Sequence, residues 1–243
     1  MVEDKEKILF LSGFGDNSTL FKPLHNTELA KKYELIYFNL PGFGAPRENI
    51  SGDIQSLANY LHSYLHNNHI NIVVAHSVAS IIASFAAEKR KLTLISVEGN
   101  LTKHDAYFSG KAAGFVNPDD FFKSFVEDLG NIKKQDPILE RYLQQVLTAN
   151  KQSLWELGCD AHRVSNMNCP GEKLKMAERV LYLYNSENCH KNSIKWLKEN
   201  QNENFMAMEH SLSHWPTIDN PKLISDFILD YLTNYSGNKI KEY

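Results

Sequence analysis

The chain has 243 residues, 42% of them hydrophobic, with 26 Lys and Arg against 29 Asp and Glu for a formal charge of −3. That is enough for one domain with a full core plus an insertion, and the lack of a basic field excludes nucleic acid as the expected partner. Met1–Lys7 is charged where a secretion signal would be apolar, no run is long and uncharged enough to span a membrane, and Cys159, Cys169 and Cys189 share no metal-like spacing, so a cytoplasmic protein with reduced cysteines is expected.

Short apolar runs alternate with longer amphipathic ones, the pattern of βα units on a parallel sheet. Strands are predicted at Ile8–Ser12, Tyr33–Asn39, Ile70–Ala75, Leu92–Glu98, Val180–Asn185 and Asn204–Met208. Helices are predicted over 18–31, 53–66 and 78–88, the second marked by Ile54, Leu57, Ala58, Leu61, Tyr64 and Leu65 at helical spacing. From Lys103 to Lys175 the alternation stops, and the segments "DDFFKSFVEDL" and "DPILERYLQQVLTANKQSLWEL" are helical with no strand between them. Residues 1–102 and 176–243 are therefore expected to form an α/β core, with 103–175 as a helical insertion after the fourth strand. In the last helix Asn220 can cap, Pro221 suits the first turn, and Leu223, Ile224, Phe227, Ile228, Tyr231 and Leu232 form an apolar stripe, while Tyr235–Tyr243 reads as a polar, frayed end.

The third strand turns into the third helix within a few residues, "VVAHSVASIIASFAA" (73–87). A corner this sharp needs small residues two before and two after its centre, here Ala75 and Ala79 around Ser77, and it presents the central side chain at the sheet edge. A serine at a strand-to-helix junction is also an ordinary helix cap, so the stretch by itself does not assign chemistry. Three further stretches bear on it: "ILFLSGFGDNS" with Gly13, Phe14 and Gly15 after the first strand, "YFNLPGFGAP" (37–46) after the second, and "HSLSHWPTIDNP" around His214 before the last helix.

In this order the four stretches resemble the α/β-hydrolase superfamily, over nearly the whole chain except the insertion. The resemblance implies an α/β fold with a mostly parallel six-stranded sheet flanked by helices. It would lack the N-terminal hairpin many members carry, and 103–175 would be a helical cap. It also implies a catalytic triad. Ser77 would be the nucleophile and His214 the base. His210 and His76 are weaker candidates for the base, His76 being expected to point away from the reaction centre. The superfamily's usual "GxxD" acid position falls on Asn188, which leaves two acids open: Glu98, at the end of the fourth strand as in haloalkane dehalogenases and pancreatic-type lipases, and Glu187, beside Asn188. Burying a carboxylate without a partner costs several kcal/mol, which argues against Glu98 as mere packing.

The same resemblance makes the backbone N–H groups of Phe14 and Val78 the oxyanion donors. Gly13, His76, Tyr107, Phe108 and Trp215 are counted as pocket residues, and Phe121, Phe122 and Phe125 share a helix face in the cap. An aromatic lid over a polar corner implies a small, largely apolar substrate. The expected function is hydrolysis of a carboxylic ester or related acyl bond through an acyl-enzyme, without metal or organic cofactor. Carbon–carbon bond or thioester hydrolysis on the same triad is the alternative, as is a silent ligand-binding protein on this fold. Composition and motifs leave oligomeric state open.

Overall fold

The computed structural model describes residues 5–132, 136–208 and 212–238. The strands of its main sheet are β1 (Lys7–Leu11), β2 (Glu34–Phe38), β3 (Ile72–His76), β4 (Thr93–Val97), β5 (Arg179–Tyr184) and β6 (Phe205–Ala207), all parallel in the order β2-β1-β3-β4-β5-β6, and the short stretches Leu40–Pro41 and Gly44–Ala45 pair separately in the loop after β2. β3 begins two residues later than predicted because the Ile70 amide donates to the Leu65 carbonyl at 3.0 Å and so closes the preceding helix.

Alternation along the strands builds two cores. Ile8, Phe10, Ile72, Val74, Ile95, Val97, Leu181 and Leu183 face one side; Leu9, Leu11, Val73, Ala75, Leu94 and Tyr182 face the other. Phe10 is fully buried with its ring centroid 5.2 Å from that of Phe21, and truncating such a side chain to alanine costs roughly 3–5 kcal/mol.

The core helices are α1 (Glu28–Lys32), α2 (Ile54–Asn67) and α3 (Ala79–Ala87). Asp53 caps α2, its carboxylate accepting the Ser56 amide at 2.8 Å. The predicted helix over 18–31 is instead a 3₁₀ helix, Ser18–Asn26, followed by the short α1. Pro23 lies inside it and has no N–H to donate, and Thr27 is extended between the two pieces.

Between β4 and β5 the described residues hold only helical elements, 3₁₀ turns at Lys103–Tyr107 and Ser109–Gly114, then α4 (Pro118–Ile132), α5 (Pro137–Thr148), α6 (Lys151–Met167) and α7 (Pro170–Leu174). α5 and α6 separate at Ala149–Asn150, where Asn150 caps α6 through the Ser153 amide and its own amide donates to the Gly42 carbonyl at 2.8 Å. α6 is tied to the core by two acids one turn apart. Glu156 accepts the Gly52 amide at 2.6 Å and pairs with Arg47 at 2.9 Å, while Asp160 accepts the Ile54 amide at 3.0 Å.

α8 (Lys191–Glu199), α9 (Pro216–Asp219) and α10 (Pro221–Asn238) complete the fold. Asn220 accepts the Leu223 amide at 3.0 Å, the cap predicted for α10, but that helix runs on to Asn238 rather than fraying at Tyr235. No described helix is long and apolar enough to cross a membrane.

β1 lies between β2 and β3, so successive connections leave it in opposite directions. At such a switch point the loops at the carboxyl ends of the two strands part and leave a crevice. Leu11 pairs with Ala75 and His76 with Val97, which brings the loops after β1, β3 and β4 to one edge.

Candidate active site

Ser77 follows β3 directly and has φ +56°, a left-handed conformation rare for a side chain with a Cβ. Strain of this kind costs about 1–3 kcal/mol and persists only where the surroundings over-determine it. Here the Ser77 amide donates to Val97 O and its carbonyl accepts the Ser80 amide, each at 3.0 Å, so sheet and helix both hold the corner. Ala75 and Ala79 are fully buried on either side. Gly13 answers the same constraint from the neighbouring loop: a Cβ there would stand 2.9 Å from the Ser77 Cβ, so only glycine lets the loop approach.

Glu98 sits at the end of β4 in the same unusual conformation, φ +52°, with its side chain buried. Gly99 follows it because a Cβ there would lie 2.2 Å from the Ser96 hydroxyl. One carboxylate oxygen of Glu98 accepts the Asn185 amide at 2.6 Å, and the other lies 3.3 Å from His214 Nδ1. Asn185 also donates its side-chain amide to Leu212 O at 2.7 Å, tying the end of β5 to the loop that carries His214. The loop is closed by Asp219, whose carboxylate accepts the Ser213 amide and hydroxyl, both at 2.7 Å. Glu187 is exposed and does not line the cavity described below. Asn188, the usual acid position, does line it and donates to Leu212 O at 3.3 Å.

His76 departs from expectation. Its ring does not point away but lines the cavity, with its centroid 4.8 Å from that of His214. A carbonyl can only accept, so the 2.7 Å contact to His214 O makes His76 the Nε2–H tautomer, with Nδ1 buried and unpaired. Burial first, and the neighbouring His214 second, push its pKa down to about 3, so it stays neutral and acts as a prop for the His214 backbone. His210 lies outside the described residues.

Ser77, His214 and Glu98 open onto one cavity of about 310 Å³, together with Gly13, Phe14, Tyr107, Phe108 and Trp215. Val78 is buried at the start of α3 and does not line the cavity with its side chain. The amides of Phe14 and Val78 donate to no acceptor among the described residues. The Ser77 hydroxyl also has no hydrogen-bond partner among them; such bonds commonly tighten only once substrate is bound.

The insertion supplies Leu129, Ile132, Leu139 and Tyr142 as an apolar wall. Phe121 and Phe125 instead pack on Phe14, at 6.3 and 5.6 Å between centroids, and do not line the cavity. Cys189 does line it, and burial followed by Glu98 and Asp105 pushes its thiol up to about 12, so it is a neutral and poor nucleophile. Among the described residues no three His, Cys, Asp or Glu side chains converge as a metal site requires.

Sequence reasoning missed Asn185, Asp219, Asp16, Arg141 and Tyr142. Asn185, Asp16, Arg141 and Tyr142 act through contacts between segments far apart in the chain, whereas Asp219 closes a local turn onto Ser213, six residues before it, within the stretch around His214.

No protein-family model matches the chain, and no curated protein does. Solved structures do. An esterase from Exiguobacterium antarcticum is 14% identical, with a TM-score of 0.70 over 95% of this chain and 92% of that one. MenH from S. aureus is 17% identical, with a TM-score of 0.69 over 96% and 95%. A 1H-3-hydroxy-4-oxoquinoline 2,4-dioxygenase is 17% identical, with a TM-score of 0.72 over 95% and 92%. The chain has the α/β-hydrolase fold. At such identities the likeness defines the architecture, and the chemistry has to be argued from the residues.

Proposed function

We propose that the protein is a serine hydrolase that cleaves a carboxylic ester or a related acyl bond of a small, largely apolar substrate. The observation that carries this is the strained Ser77 facing the same cavity as a histidine whose Nδ1 lies 3.3 Å from a buried carboxylate. Ser77 Oγ attacks the substrate carbonyl carbon as His214 Nε2 takes the hydroxyl proton, and Glu98 holds the imidazole and offsets its positive charge. The amides of Phe14 and Val78 receive the negative charge that develops on the carbonyl oxygen. Collapse of the tetrahedral adduct breaks the bond to the leaving group, which takes the proton from His214. Water, activated by the same imidazole, then releases the acid and restores the serine.

The helical segment 103–175 serves as the cap, and its wall of Leu129, Ile132, Leu139 and Tyr142 takes the apolar part of the substrate. Among the described residues Asp16, Glu98 and Asp105 are the acidic side chains of the lining, Asp16 being paired with Arg141. Structural neighbours that are themselves esterases, including one from Thermogutta terrifontis, are consistent with this chemistry.

A second reading keeps His214 and Glu98 as a general base and leaves Ser77 as a hydrogen-bond donor only. Among the described residues Ser77 Oγ makes no bond to His214, and this reading requires none. A fluorophosphonate probe with a panel of p-nitrophenyl esters separates the two. The proposal expects labelling and turnover in the native protein and neither in Ser77→Ala; an unlabelled native protein, or a labelled variant, removes it.

A further inference from the structure

Phe14, whose amide the proposed mechanism uses, sits between Gly13 and Gly15, the latter at φ +68°. Two glycines give this short loop wide backbone freedom, and besides one internal bond, from the Asp16 amide to the Gly13 carbonyl at 3.2 Å, contacts from outside hold the direction of the Phe14 amide. One helix of the insertion does so at three points. The Tyr142 hydroxyl donates to Phe14 O at 2.7 Å. Arg141 grips the Asp16 carboxylate with two bonds, at 2.8 and 2.9 Å, and Gln145 accepts the Asn17 side-chain amide. Residues 141, 142 and 145 share one face of α5, and they hold loop residues 14, 16 and 17.

The Tyr142 ring is buried, with centroids 5.1 Å from Trp215 and 6.0 Å from Phe108, so its hydroxyl has little room to swing. Asp16 is itself 1% exposed, and its charge is met by Arg141 rather than by solvent.

We propose that Tyr142 is the positioning residue of the oxyanion loop: through the Phe14 carbonyl it fixes the adjacent peptide, so the oxyanion site is complete only while α5 is seated on the loop. This rests on the serine-hydrolase reading above. Tyr142 touches no reacting atom. The insertion then does more than wall the cavity, because movement of α5 away from the core carries off the support of one oxyanion donor.

Tyr142→Phe removes the hydroxyl and keeps the ring. With p-nitrophenyl butyrate the expected result is a kcat lowered about 10- to 100-fold, short of or equal to the loss of a whole oxyanion donor, and a KM within about twofold. A role in cavity shape alone would move KM instead. An alkyl trifluoromethyl ketone, which forms an oxyanion on Ser77, should bind weaker by the same factor as kcat falls, while the matching secondary alcohol binds as before.

A kcat within about threefold of the native value, or ketone and alcohol weakened alike, overturns the proposal. If Tyr142→Phe does not fold, Gln145→Ala decides. It gives up only the Asn17 contact and should lower kcat by a smaller factor with KM unchanged, and an unchanged kcat overturns the idea. A native protein that neither turns over the ester nor takes a fluorophosphonate overturns this inference together with the function it rests on. An active native protein with an unaffected Tyr142→Phe overturns this inference alone.

Discussion

The carboxyl edge of the sheet and the helical insertion build the same cavity by different means. At the sheet edge, strand register decides which side chains meet: pairing of His76 with Val97 puts Ser77 beside Glu98, and pairing of Val97 with Leu183 puts Glu98 beside the end of β5. In the insertion, position comes from side chains reaching across long stretches of chain, as Tyr142 reaches Phe14 and Glu156 reaches Gly52. The first arrangement is stiff because each strand is fixed by its neighbours. The second depends on a few bonds and ring contacts, so it can be adjusted without disturbing the sheet. The proposed division, with the candidate reactive groups on the edge and the substrate-fitting groups on the insertion, accords with that difference.

Variants at the two regions should differ in kind. Ser77→Ala should have the largest effect, lowering kcat/KM for p-nitrophenyl butyrate by at least about 10³-fold with little change in thermal midpoint. Glu98→Gln comes next. It retains an acceptor for the Asn185 amide but lacks the charge opposite His214, and a drop of about 10²- to 10⁴-fold in kcat is expected. Glu187→Gln should leave kcat within about twofold. A larger loss at Glu187 than at Glu98 would move the acid to the other side of Asn188.

The third effect is on stability and depends on pH. His76 has its folded pKa lowered from 6.5 to about 3, so the unfolded chain binds the extra proton first as pH falls. Its contribution is fully present above about pH 6.5 and is lost on going down toward about 3. Between pH 7.5 and 5 that amounts to on the order of 2 kcal/mol. His76→Gln can still donate to the His214 carbonyl and carries no titrating ring, so its urea midpoint should fall less over the same range. Parallel curves for the two proteins would show that His76 is not held neutral.

The smallest effect belongs to the insertion. Leu139→Trp, on the half-buried cavity wall, should shift preference from octanoate toward acetate esters by about tenfold in the ratio of kcat/KM, with the acetate rate itself little altered.

These expectations also mark what could be read from the chain alone. Strands, the α2 stripe, the α10 cap and the corner at Ser77 are local patterns, each set by periodicity or by small residues at fixed offsets, and the parallel sense of the sheet follows from their alternation, though its strand order does not. Local pattern leaves Glu98 and Glu187 both open, because the placement of the Glu98 carboxylate depends on β4 pairing with β5, which no local pattern reports. The direction of the His76 ring differs from the expectation for a related reason: its partner is a backbone carbonyl 138 residues away. Tyr142 is one of several aromatics in the insertion, and only the folded loop gives its hydroxyl a role.

Ser77 and Glu98 both hold left-handed backbone at the ends of adjacent strands. Glycine would relax either position, and a library of variants sorted for heat resistance alone should therefore enrich glycine at 77 and 98 and discard the chemistry as it does so. Persistence of both side chains under such a sort would mean that neighbouring contacts, rather than selection for turnover, hold them in place.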